Sequence, residues 1–221
     1  MKKEKRSLTE HQKQCLHQIE KGKHQYVIGI DEVGLGSWAG PIMVAGVVFP
    51  KGWSHSHIVD SKTIAHAKRE RALQEFIYPY SPAYCVLSMT SQQIDRIGIE
   101  TARQQLTEGC ALYCLTRFPE ALVVQDGDRP VPVDGRLDHV VCLPKADALV
   151  AAVSAASILA KVTHDLFMFE QARYYPDYGF ITNVGYRSVT HERGLQRYGL
   201  TPIHRRSYKP MQNYNDPLKN W

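Results

Sequence analysis

With 221 residues, 43% hydrophobic and 22% charged, the chain has the composition of a globular domain with a sizeable core, not that of a disordered or fibrous protein. No apolar run is expected to reach the length of a membrane span, and the opening MKKEKRSLTEHQKQ lacks the apolar core of a signal peptide, so a cytoplasmic location without membrane contact is expected. The net charge of +5 is uneven: residues 185–221 carry seven Lys or Arg against two acids, which suits either a polyanionic partner such as nucleic acid or a solvated basic tail.

SLTE (7–10) has the form of a capping box and predicts a first helix over 8–20, stopped by Gly22. YVIGID (26–31) and PIMVAGVVF (41–49) are apolar runs of strand length on either side of a glycine-rich turn. IAHAKRERALQEFI (64–77) reads as an amphipathic helix closed by Pro79, and AYCVLSM (83–89) as a third strand. Residues 91–118 predict a helix broken near Gly98, on which Cys110 and Cys114 share a face as small core residues. The five cysteines form no metal-knuckle or redox pattern.

ALVVQD (121–126) and DHVVCL (138–143) are two further strands, followed by a long helix over 148–172 rich in small residues. SVTHERGLQRYG (188–199) predicts a last short helix, and the basic, aromatic ending shows no clear period. This order predicts an α/β architecture, a mixed sheet with helices on its faces, over residues 1–174, with 175–221 as a C-terminal extension.

Asp31 and Glu32 stand between two apolar runs, an unusual place for charge. Strand alternation sends neighbouring side chains to opposite faces, so the two converge only if the strand ends or kinks, which Gly34 and Gly36 permit. Asp126 closes a buried strand, and Asp147 lies between a strand and a helix. Each acid taken singly has a structural explanation as a cap or turn residue. Gathered at one sheet edge, the four would repel one another unless cations neutralised them, and hard oxygen ligands suit Mg²⁺ or Mn²⁺. Two such ions about 3.5–4 Å apart would make a phosphodiester-hydrolysing site.

Five segments in order resemble the ribonuclease HII family, the prokaryotic type 2 ribonucleases H. They are GIDEVGLGSWAGP (29–41), DSKTI (60–64), QDGD (125–128), KADALVAAVSAASILAKVTHD (145–165) and GYRSVTHERGLQRYGLTPIHRRSY (185–208). The resemblance implies a ribonuclease H-like sheet flanked by helices, with a helical C-terminal extension that binds substrate. It implies an endonuclease, expected to be monomeric, that cuts the RNA strand of RNA–DNA hybrids and ribonucleotides embedded in DNA, leaving 3′-hydroxyl and 5′-phosphate ends.

By the same resemblance, Asp31, Glu32 and Asp126 match metal ligands and Asp147 the fourth catalytic acid. The Gly34-Leu35-Gly36 turn and Tyr186 match the groups that recognise the ribose, and Lys62, Arg205, Arg206 and Lys209 are candidate phosphate contacts, or solvated charges. The chain departs from the family pattern at four places. Leu35 and His164 replace arginines, Ser37 replaces a proline, and Asp128 replaces an asparagine, adding negative charge beside Asp126. Type 3 ribonucleases H also lack the turn arginine. Another nuclease of this fold, type 3-like or a junction resolvase, and a non-catalytic hybrid-binding protein therefore stand as alternatives.

Overall fold

A computed structural model of the chain describes residues 8–54 and 66–217; DSKTI, with Lys62, lies outside them. The first helix, α1, spans Glu10–Lys21. Its cap is Thr9, which accepts from the Gln12 N–H while the Gln12 side chain accepts from the Thr9 N–H. This corrects the box expected at 7–10. Gln12 also donates to the Pro144 carbonyl at 3.0 Å, which ties the helix start to the sheet.

Five strands form one mixed sheet: β1 Tyr26–Val33, β2 Ile42–Pro50, β3 Tyr84–Met89, β4 Leu122–Asp126 and β5 Val140–Leu143. Their spatial order is β3-β2-β1-β4-β5. β1, β2 and β3 pair antiparallel in succession, while β4 and β5 join parallel to β1. The three parallel strands therefore end at the same edge, and their carboxyl ends carry Asp31, Asp126 and the chain leading to Asp147.

Helices cover both faces. α4 (Ile99–Leu115) packs on one, where Leu106, Cys110 and Cys114 meet Ile28 and Ile30. α5 (Ala151–Tyr174) lies on the other, where Ala152, Ala155 and Ala156 meet Val27 and Val33. The alternation along β1 decides which residue faces which helix. Gly29 is the close approach: a Cβ there would stand 2.1 Å from the Ala152 carbonyl carbon. Its absence lets α5 settle onto β1.

α5 is long and apolar enough to cross a membrane by length and composition, which corrects the expectation that no segment would be. Here 72% of its apolar window is buried inside the protein, so its hydrophobicity is spent on the sheet. The expected break at Gly98 is present: α3 (Ser91–Ile97) ends there and α4 begins, with Gly98 at φ +83. α2 (His66–Ala72) loosens into a wider π-type turn over Leu73–Ile77.

Beyond α5 the chain forms short elements, α6 (Phe180–Asn183) and α7 (Val189–Tyr198), and a 3₁₀ turn at Lys209–Asn213. A separate apolar cluster joins this region to the rest. Tyr178, Phe180, Leu195, Leu200 and Met211 pack with Ala39 of the turn between β1 and β2, and with Met168 and Ala172 of α5.

Candidate active site

Asp31, Asp126 and Asp147 come together, each offering a carboxylate oxygen such that these atoms all lie within 4.8 Å of one another. Parallel pairing of Ile30 with Gln125 sets the first two side by side. The third arrives through a 3₁₀ turn, Ala146–Ala148, entered by Lys145 in a left-handed conformation. Asp126 Oδ1 accepts from the Ala146 N–H at 2.7 Å, which locks that turn against the end of β4. Ser154 of α5 donates to the Asp147 carbonyl.

Asp31 is 4% exposed, and burial pushes its carboxyl up to about 8 from the ordinary 3.8; the charges of Glu32 and Asp126 push it the same way. Hydrogen bonds from Ser157 and from the Glu32 N–H, the latter at 2.8 Å, act against that rise. Three converging carboxylates, one held far above its usual range, form a hard oxygen donor set that fits a divalent cation such as Mg²⁺ or Mn²⁺.

Glu32 stands outside this close trio. β1 continues in regular register through Val33, with Glu32 opposite Val44, so no kink turns the two acids together. Alternation sends Glu32 to the α4 side, where it and, more strongly, Glu100 hold Arg103 in its charged form. Glu32 still borders the cleft. That cleft, about 320 Å³, is lined by Asp31, Glu32, the 33–36 turn, Arg69, Ser157, Lys161 and Tyr186.

Arg69 and Lys161 were not legible as site residues. Lys161 is one helical turn beyond Ser157 on α5, and Asp165 holds both cations, Lys161 through Oδ1 and Arg69 through Oδ2 at 3.7 Å. The spacing of 157, 161 and 165 was the available signal.

The turn that forms the far wall is clamped by the C-terminal region. Gly34 sits at φ +85, with no room for a Cβ against the Pro41 carbonyl at 2.6 Å. Its N–H donates to the Tyr186 hydroxyl at 3.2 Å. Trp38 N–H reaches the Gly185 carbonyl at 2.8 Å, and Gly40 N–H the Ile203 carbonyl at 2.9 Å.

Arg205 corrects its expected role. It is wholly buried, and its guanidinium donates to the Gly40 and Leu35 carbonyls and the Tyr208 hydroxyl at 3.1, 3.2 and 2.8 Å. It is therefore no solvated surface charge, and its Nη2 makes no hydrogen bond among the described residues. Arg206 is half-buried and paired with Asp216 at 2.8 Å, whereas Lys209 is exposed.

The departures from the family pattern separate spatially. Leu35 is 40% exposed at the cleft. His164 and Ser37 are wholly buried, with the His164 ring under Gly34 and burial holding it below its ordinary pKa. Asp128 is solvent-exposed beside Arg129 at 3.8 Å, so its added charge faces water.

Comparison with known proteins agrees with this geometry. Ribonuclease HII of Leuconostoc citreum is 37% identical over 190 residues, spanning 86% of this chain and 70% of the relative. Ribonuclease HII of Francisella tularensis subsp. novicida is 36% identical over 186 residues, spanning 84% and 97%. The crystal structure of ribonuclease H2 from Pyrococcus horikoshii matches with a TM-score of 0.70 at 25% identity, covering 85% of this chain and 95% of that one. A ribonuclease HIII solved in complex with Mn²⁺ shares the fold, with a TM-score of 0.72 at 19% identity, covering 90% and 70%. The ribonuclease HII family model matches residues 28–211. With the carboxylate trio at the ends of its parallel strands, the chain belongs to the ribonuclease HII family and is a metal-dependent endonuclease.

Proposed function

We propose that this protein hydrolyses the RNA strand of RNA–DNA hybrids and cuts at ribonucleotides embedded in duplex DNA, by a two-metal-ion route that leaves 3′-hydroxyl and 5′-phosphate ends. The observation that carries the proposal is the carboxylate trio, whose Asp31 lines one cleft with Glu32, the Gly34–Gly36 turn and Tyr186. Asp31, Asp126 and Asp147 would hold the cations, with Glu32 at the cleft rim. When bound, Mg²⁺ or Mn²⁺ supplies activation of the attacking water and stabilisation of the leaving oxygen.

The remaining work falls to the chain itself. Lys161 and Arg69 face the cleft and would neutralise substrate phosphates, and Asp165 fixes their position. RNA is told from DNA by its 2′-hydroxyl, which needs a donor and an acceptor close to the ribose. The Tyr186 oxygen accepts from the Gly34 N–H and so keeps its own proton to donate. Residues 175–221 form the extension that delivers Tyr186, and exposed Lys209 extends the phosphate contacts. Leu35, in place of a cation at the turn, favours a looser grip on the DNA–RNA junction. The protein acts as a cytoplasmic monomer in this reading.

A panel of end-labelled duplexes tests it, with RNA–DNA, single-ribonucleotide and all-DNA branched substrates in Mg²⁺, in Mn²⁺ and in EDTA. Metal-dependent cutting of the first two, with 3′-hydroxyl products, is expected. Cutting of branched DNA would replace this reading with a resolvase, and binding without cutting would replace it with a hybrid-binding protein.

A further inference from the structure

Two histidines of the C-terminal region take no part in the carboxylate chemistry. His191, in the first turn of α7, and His204, which follows Ile203, are both wholly buried, and their Nε2 atoms face each other at 3.0 Å. Their surroundings fix where the protons sit. The Thr201 N–H donates to His204 Nδ1 at 2.9 Å, and the Thr201 hydroxyl lies 2.8 Å from the same atom. A nitrogen that accepts carries no proton, so neutral His204 holds its proton on Nε2. His191 Nδ1 stands 2.9 Å from the Tyr186 carbonyl oxygen, which can only accept. That nitrogen therefore carries the His191 proton, and its Nε2 keeps a lone pair.

One proton arrangement satisfies every contact: Thr201 N–H to His204, His204 Nε2–H to His191, and His191 Nδ1–H to the Tyr186 carbonyl. A further proton on either ring would set two N–H groups against each other. Burial lowers both rings below their ordinary pKa, His204 to about 3, which keeps them neutral. The Phe180 ring stands edge-on to His191 with centroids 5.2 Å apart, and Tyr178 lies 5.3 Å from His204.

The chain of donors ends at the cleft. Tyr186 is fixed on its backbone by His191 and by a 2.9 Å bond from its own N–H to the Asn183 carbonyl. Its hydroxyl accepts from the Gly34 N–H of the opposite wall. We propose that His191 and His204 are positioning residues, a tautomer-locked pair that sets Tyr186, and through it the Gly34 turn, at the spacing needed to read a ribonucleotide. The proposal deepens the functional reading above and rests on Tyr186 meeting the ribose.

The test compares isosteres. An Asn amide can replace Nδ1 of His191 and still donate to the Tyr186 carbonyl, whereas a Gln amide reaches only the Nε2 position. On a single-ribonucleotide duplex, His191→Asn, which keeps the bond to the Tyr186 carbonyl but loses the one from His204, should lose clearly less kcat/KM than His191→Gln and Tyr186→Phe, which should each lose about tenfold. The double variant His191→Gln/Tyr186→Phe should be no worse than Tyr186→Phe, because both act through one group. Equal effects of Asn and Gln, or additive losses, would overturn the proposal in favour of simple packing.

Histidine ¹⁵N spectra of the wild-type protein give a second readout, independent of turnover. His191 should be the Nδ1–H tautomer and His204 the Nε2–H tautomer, and the reverse pair would overturn the lock. If the wild type fails to cut the duplex, the functional reading falls, and the tautomers alone then decide the relay.

Discussion

The carboxylate end of the sheet and the clamp that grips the 34–41 turn are both buried and polar, yet they solve burial in opposite ways. At the sheet edge, like charges are pressed together, and burial and neighbouring acids hold Asp31 up to about 8. In the clamp, neutral and charged groups are met from within the chain: two neutral imidazoles on each other, and Arg205, through Nε and Nη1, on carbonyls and a tyrosine. The first arrangement calls for an outside cation, and the second is met mostly from within, with Arg205 Nη2 making no hydrogen bond among the described residues. A site meant to load metal must leave charge unmet, while the wall that reads shape must not move when the metal arrives.

The two regions should therefore respond oppositely to pH, and Asp31→Asn breaks the comparison most sharply. It should reduce cleavage by more than about a thousandfold, read by single-turnover assays with unchanged circular dichroism. In EDTA the same change should stabilise the fold at alkaline pH. Asp31 has a folded value of about 8 against an ordinary 3.8, so stability present below pH 3.8 is lost as pH rises through 8. The melting temperature of the variant should lose that decline between pH 3.8 and about 8.

The clamp carries the contrary sign. His191 and His204 lie below their ordinary 6.5, so the unfolded chain binds protons that the fold excludes. Stability from this pair is present above pH 6.5 and lost as pH falls toward about 3. Urea midpoints across that window should fall less for His204→Gln than for wild type.

Arg205→Met tests the self-sufficiency of the clamp. It strands the Gly40 carbonyl, leaves the Leu35 carbonyl to the Tyr208 hydroxyl alone, and should cost about 3 kcal/mol in urea denaturation. Both the stability loss and a weakened preference for ribonucleotides should appear, since the guanidinium supports the turn from beneath.

The smallest effect belongs to Leu35→Arg. The position is exposed, so stability should change by less than about 0.5 kcal/mol. The new cation should tighten substrate binding and steepen the salt dependence of log K by about one unit. An unchanged salt slope would show that this position lies away from phosphate.

What the sequence determined by itself was local and periodic. Apolar runs of strand length around Asp31, the break at Gly98 and the small-residue face of α5 each follow from short-range preferences, and all three appear where they were expected. Asp31, Asp126 and Asp147 were also legible as acids placed at the ends of elements, where capping and metal binding compete. Five family segments in order then supplied the assignment of the chain to ribonuclease HII.

Partnership was decided only by the tertiary structure. Asp147 rather than Glu32 completes the close trio, because β1 stays regular past Asp31 and a left-handed Lys145 redirects the chain after β5. Arg205 turned from a surface contact into a buried clamp, because the carbonyls of a distant turn needed its donors. Lys161 and Arg69 entered the cleft through one shared partner, Asp165, that no local pattern could pair with both. Charge and hydrogen-bond satisfaction are settled between segments far apart in the chain, so a charged residue's sequence position gives its chemistry but not the neighbour that will use it.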